Sequence, residues 1–134
     1  MATKKLPAYS FVLDELAESA IAPKVRVRPM FGSHSVYIDE KIIFILRRKQ
    51  TPESLVDDGI WIAMQPEHNS SLQREFPSLR RIAMFAGRAF SGWLNLPERE
   101  EGFEEAALRV CRMVIDGDSR IGKIPPAKKR KKGT

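Results

Sequence analysis

Ser35-Val36-Tyr37-Ile38-Asp39-Glu40-Lys41-Ile42-Ile43-Phe44-Ile45-Leu46 carries the strongest strand pattern in the chain. Two runs of β-branched and aromatic residues flank the polar pair Asp39-Glu40, the pattern of a hairpin. The second run is apolar on both faces, so it belongs in the middle of a covered sheet; an exposed second face would invite aggregation. Glu40 is poorly suited to a left-handed turn position, and the tip is expected to be longer or of a different turn type.

Working outward, Val25-Arg26-Val27-Arg28 alternates apolar and basic residues with period two, a strand with one wet face. Before it, Tyr9, Val12, Leu13, Leu16, Ala17 and Ala20 recur at helical spacing, which predicts a helix from Pro7 to Ala20 that Pro23 ends. Downstream, Ile60-Trp61-Ile62-Ala63-Met64 follows Asp58-Gly59 as a strand, and Pro66 opens a short helix over His68 to Phe76. Arg81 to Phe85 and Ser91 to Leu96 read as a last hairpin closed by a loop containing Gly87. Phe103, Ala106, Ala107, Val110, Cys111 and Val114 make the apolar stripe of a final helix, with Glu98, Glu100 and Glu101 at its start and Gly117 placed to cap its end. The order describes an α+β fold: a single antiparallel sheet of about five to six strands, the N-terminal and C-terminal helices packed on one face and a short helix between strands.

The chain of 134 residues, 43% apolar and 30% charged, suits one globular domain, placed at residues 1–126, and excludes collagen-like and wholly disordered classes. No apolar stretch approaches the roughly 20 residues needed to cross a bilayer, and Met1 to Pro7 lacks the apolar core of a secretory signal. A cytoplasmic location without membrane contact is the expectation, and the lone Cys111 agrees with a reducing compartment. The net charge of +6 sits at the ends. Lys4, Lys5 and the run Lys128, Lys129, Arg130, Lys131, Lys132 account for seven of the 23 basic residues, leaving 16 against 17 acidic ones between them. Residues 127–134 are expected to be a disordered basic tail, because like charges repel and nothing there can join a core.

Val27-Arg28-Pro29-Met30-Phe31-Gly32, followed by Tyr37 and Lys41, resembles the N-terminal domain of the competence regulator TfoX (Sxy), with its Met-Phe-Gly turn, an aromatic residue a few positions on and a lysine opening the next strand. The stretch from Phe76 to the last helix is similar to the related MmcQ/YjbR group, in which a tryptophan-bearing strand precedes the final helix. Together the resemblances span most of Tyr9 to Ile115. Ser33 stands where many TfoX-like sequences have a second glycine, and Asp39-Glu40 where they have Asp-Gly. The resemblance implies a regulatory domain and supplies no catalytic residues. Read from its own chemistry, the motif is structural: Gly32 permits a sharp turn while Met30 and Phe31 fill the core, the alternative being a contact surface for a partner.

A search for catalytic chemistry finds little. His34 and His68 lie in different elements, so a metal site would need Asp57 and Asp58 to converge on them. Ser33 and Ser35 flank His34 without a nucleophile elbow or an orienting acid. G-x-x-x-x-G-K and G-x-G-x-x-G are both read as absent, and Arg120-Ile121-Gly122-Lys123, superficially like a phosphate contact, reads as a solvated segment leaving the last helix. Cys111 reads as an inert buried thiol, and Trp61 and Trp93 as packing residues. The chain is therefore read as not an enzyme, with no cofactor and no metal.

Lys24, Arg26, Arg28, Lys41, Arg47, Arg48 and Lys49 against Asp39 and Glu40 give a local balance of +5. Arg26 and Arg28 share a strand face, and aligned neighbours would make a basic stripe; the plain reading is a solvated face or a charge-guarded edge. The candidate interaction surface is thus Arg26, Arg28, Met30, Phe31, Gly32, Tyr37, Lys41, Arg47 and Arg48. Two functions follow: a regulatory or protein-interaction module with an unidentified protein partner, or a weak, sequence-nonspecific nucleic-acid binder using the stripe and the Lys128 to Lys132 run. Oligomeric state is not encoded in any motif.

Overall fold

Val27, Val36, Phe44, Ile62 and Leu94 stand side by side in register across five strands, and all but Val27 are buried. The computed structural model describes residues 7–53, 55–83 and 92–124. Helix α1 (Ser10–Ala17) is followed by β1 (Val25–Met30), β2 (Ser33–Ile38), β3 (Lys41–Arg47), β4 (Gly59–Ala63), α2 (Asn69–Glu75), β5 (Trp93–Pro97) and α3 (Phe103–Ile115). The sheet is a five-stranded antiparallel meander in the order β1-β2-β3-β4-β5, which puts the doubly apolar β3 at its centre. No helix among the described residues is long and apolar enough to cross a membrane.

Period-two alternation sorts the strands into two faces. Val36, Phe44, Leu46, Ile60, Ile62, Leu94 and Leu96 meet Val12 and Leu16 of α1 and Phe103, Ala107, Val110 and Cys111 of α3 in the main core. Ile42, Ile45, Trp61, Ala63 and Ile82 form a smaller cluster on the opposite face, with Met30, Tyr37 and Trp93 packed against it. A β-bulge allows both. Val36 pairs with Phe44 and Tyr37 with Ile42, so Ile43 is the extra residue, and Ile43 and Phe44 both join the main core.

The structure departs from the sequence reading in two places. Helix α1 is shorter than Pro7 to Ala20. Tyr9 takes a left-handed conformation (φ 56°) before it, and at the other end the Ser19 hydroxyl binds the Leu16 carbonyl, competing with the helical ladder. The β2–β3 tip takes the second of its two expected forms, a different turn type and not a longer loop: it has two residues, with Asp39 in the left-handed position (φ 55°) and Glu40 spared it. Of the hairpin expected from Arg81 to Phe85 with Ser91 to Leu96, the described residues show a different arrangement: Arg81 to Ala83 are outside any strand, Arg80 makes an isolated bridge to Asn95, and β5 pairs with β4. Met84 to Ser91, with Gly87, lie outside the described residues, as does the 127–134 tail.

Candidate functional site

Met30 pairs with Ser33, so Phe31 and Gly32 are the two central residues of the β1–β2 turn, both left-handed at φ 46° and 81°. Two-residue turns of this hand match the natural twist of the flanking strands. Met30 packs against the second-face cluster as expected, but Phe31 does not fill the core: its ring is 91% exposed. The turn projects Phe31 beyond the last strand pair, where none of the described residues covers it. Lys49 donates from Nζ to the Phe31 carbonyl, tying the turn to the segment after β3.

Along β1, Arg26 and Arg28 lie on the second face, flanking Tyr37 of β2; each guanidinium carbon is 6.0 Å from the ring centroid. The expected stripe ends there. Arg47, also on the second face, is drawn inward. Its side chain is only 13% exposed, 5.3 Å over the Trp61 ring, with Nε 3.8 Å from Asp58 Oδ1. Arg48 turns to the helix side, where it holds Glu98 through two hydrogen bonds of 3.1 and 2.7 Å. Lys41, paired with Ile38 at the far end of the hairpin, is exposed beside the Asp39-Glu40 turn. Of the nine candidate residues, Met30, Phe31, Gly32 and Arg47 gather at the β1–β2 end of this face, with Arg28 next along β1; Arg26 and Tyr37 share the face but lie toward its opposite end, where Arg26 donates to the Asp39 carbonyl at 3.3 Å and Lys41 stands beside the same turn, and Arg48 is on the helix side.

Between the turn and the sheet lies a pocket of about 440 Å³ lined by Met30, Phe31, Ser33, Ile45, Arg47, Lys49 and Trp61. Trp61 is fixed as its floor by donating Nε1 to the Asp57 carbonyl at 2.8 Å. Asp57 and Asp58, considered above as metal ligands, are buried and serve the backbone. Asp57 accepts from Ala83 N–H at 2.7 Å, and Asp58 accepts from Lys49 and Gln50 N–H at 3.0 and 2.8 Å. Among the described residues no group of three or more His, Cys, Asp or Glu is arranged to hold a metal.

A second polar cluster joins three segments on the helix side. The Tyr9 hydroxyl lies 2.9 Å from Glu98 Oε1 and 3.0 Å from the Arg47 carbonyl, donating to one at a time, and Arg48 stacks 5.1 Å over its ring. Burial, reinforced by Glu98, raises the phenol far above the ordinary tyrosine value, while the Arg48 hydrogen bonds hold the Glu98 carboxyl below the usual carboxylate range. A phenol held neutral between a carboxylate and a carbonyl works as a clamp.

Residues 120–123 overturn one expectation. This segment is no solvated exit. Ile121 and Gly122 are buried, Gly122 N–H donates to the Ala63 carbonyl at 2.7 Å, and Lys123 bridges Ile42 where β4 has ended. Gly117 to Lys123 also carries the spacing G-x-x-x-x-G-K, which corrects the reading of that motif as absent. Gly117 closes α3, and Ile124 stands where a phosphate loop needs Ser or Thr, so the strand-loop-helix context is missing. Cys111 is fully buried, and burial pushes its thiol up to about 12, the environment of an inert thiol.

Comparison of the chain with protein-family models, curated proteins and solved structures finds no match.

Proposed function

We propose that the chain is a TfoX-like, non-enzymatic domain that works by binding another protein through the β1–β2 end of the second sheet face. The observation that carries this reading is Phe31, a large aromatic ring held almost fully in water on a turn of defined conformation. Exposed aromatics flanked by arginines are the residue types that anchor protein interfaces, and Arg26 and Arg28 stand on the same face around Tyr37. The Met30-Phe31-Gly32 turn that carries the TfoX resemblance is thereby the proposed contact, and the regulatory role is the one that resemblance implies.

The basic set argues less for nucleic acid than its count suggests, because Arg48 is engaged by Glu98 and Arg47 is largely buried over Trp61, away from the open surface a phosphate backbone would follow. The test compares the unaltered chain, Phe31→Ser, and Arg26→Ala with Arg28→Ala, all matched in melting temperature. A discrete protein retained from native extract by the unaltered chain and lost with Phe31→Ser is the expected result. In parallel, duplex DNA is titrated at several salt concentrations. Any affinity should be insensitive to the two arginine changes; a binder using the sheet face would show a log-log salt slope of roughly −4 to −5 that these changes reduce by about 2.

A further inference from the structure

Arg47 is the unusual group of the pocket. Its side chain is largely buried over Trp61, and its Nε, wholly inaccessible, has no hydrogen-bond partner among the described residues. The nearest carboxylate, Asp58, sits 3.8 Å from that nitrogen, and both its oxygens already accept backbone N–H groups. A guanidinium desolvated to this degree and only loosely compensated is costly; its Nε is closed to any ligand, so an incoming carboxylate would pair with the part of the guanidinium that lines the pocket and offset part of that cost. Around it, Met30, Ile45 and Trp61 offer apolar walls, Phe31 a free aromatic face, and Lys49 a second cation at the rim.

We propose that this pocket receives one large apolar side chain of an acidic peptide segment, whose neighbouring carboxylate is taken by Arg47. The inference rests on the protein-binding reading and names the chemistry of the partner. A volume near 440 Å³ suits one large side chain with part of its backbone, at the small end of ligand pockets. Charge complementarity favours an acidic segment: Arg47 and Lys49 line the pocket and Arg28 stands next to it along β1, on the same face.

The test uses the full chain and fluorescein-labelled Gly-Asp-Glu-Phe-Asp-Glu-Gly, followed by anisotropy, with the same peptide carrying Ser for Phe as control. The Phe peptide should bind about tenfold or more tightly than the Ser peptide, the usual size of a single buried anchor. Met30→Trp fills the pocket without touching the charges and should abolish that preference. Arg47→Gln should weaken the Phe peptide about tenfold, and Arg47→Lys, which keeps charge but loses the planar fork, by less. Should Arg47→Gln fail to fold, Met30→Trp and Arg47→Lys still decide.

Equal binding of the two peptides, or a preference that survives Met30→Trp, would overturn the proposal by reducing the surface to unspecific attraction. Competition by free hydrocinnamate as strong as by the peptide would overturn it too, making the pocket a small-acid site. If Phe31→Ser loses the native partner while neither peptide binds, the pocket proposal falls and the protein-binding reading stands. If the Phe peptide binds as described while Phe31→Ser keeps its native partner, the pocket proposal stands and the turn is not the contact.

Discussion

Tyr9 holds three chain segments together through one hydroxyl, and its strained left-handed backbone shows that the contact is worth a local cost. Tyr9→Phe should lower stability by about 1–2 kcal/mol, the usual consequence of removing a partly buried hydrogen bond, read from urea denaturation. The pH dependence follows from the directions of the shifts. Glu98 titrates below its ordinary value of 4.5 when folded, so its contribution is complete above that value and is lost as pH falls through the lowered one. The stability gap between the unaltered chain and Glu98→Gln should therefore close on acidification below about pH 4. Tyr9 runs the other way: its phenol is raised, so its contribution is complete below the ordinary value of 10 and declines as pH rises above it. Cys111 should react with thiol reagents about a hundredfold or more slowly in the native state than in urea; equal rates would show that the α3 stripe is not packed. None of the Tyr9 clamp was legible in the sequence, because Tyr9 and Glu98 are 89 residues apart and no periodicity links a residue before a helix to one in a later turn.

Helix α3 was the most legible element, and its ends show why. Gly117 adopts φ 81° and its N–H binds the Val114 carbonyl, while Asp118 N–H reaches back to Met113, the double closure for which glycine is selected. A Cβ at Gly117 would meet nothing within 4 Å, so Gly117→Ala should cost only the backbone strain, about 1 kcal/mol, with Gly117→Asn milder. Gly59 is the opposite case. A Cβ there would lie 2.2 Å from the Leu96 carbonyl oxygen and 2.6 Å from Asn95 Oδ1, so Gly59→Ala should break β4–β5 pairing and leave little folded protein by circular dichroism. Val110→Asp puts an unpaired charge in the main core and should cost several kcal/mol or prevent folding. The β4–β5 pairing itself escaped the sequence reading. Arg81 to Phe85 has strand-like composition next to Ser91 to Leu96, and local pattern favours the nearer partner, whereas register here follows the two buried faces of β4. Phe31 escaped it for a related reason: composition reports apolarity, and only the turn geometry decides that this apolar ring points outward.

Across the whole molecule, the two sheet faces divide the labour. The helix-side face carries the main core and the Tyr9 clamp, and the second face carries a small cluster whose open end holds Phe31, Arg47 and the pocket. The +6 charge is distributed accordingly: much of it lies in the terminal runs, and of the basic residues near the sheet several are spent on Glu98, Asp58, Glu75 and Asp118. Whether Phe31 touches a protein is read by incorporating the photo-reactive benzoylphenylalanine in place of Phe31 in the native cell, and in parallel in place of the exposed Arg112 on α3. One discrete protein adduct is expected from position 31 and none from position 112. Nucleic-acid adducts at position 31, or the same protein adducts from both positions, would contradict it.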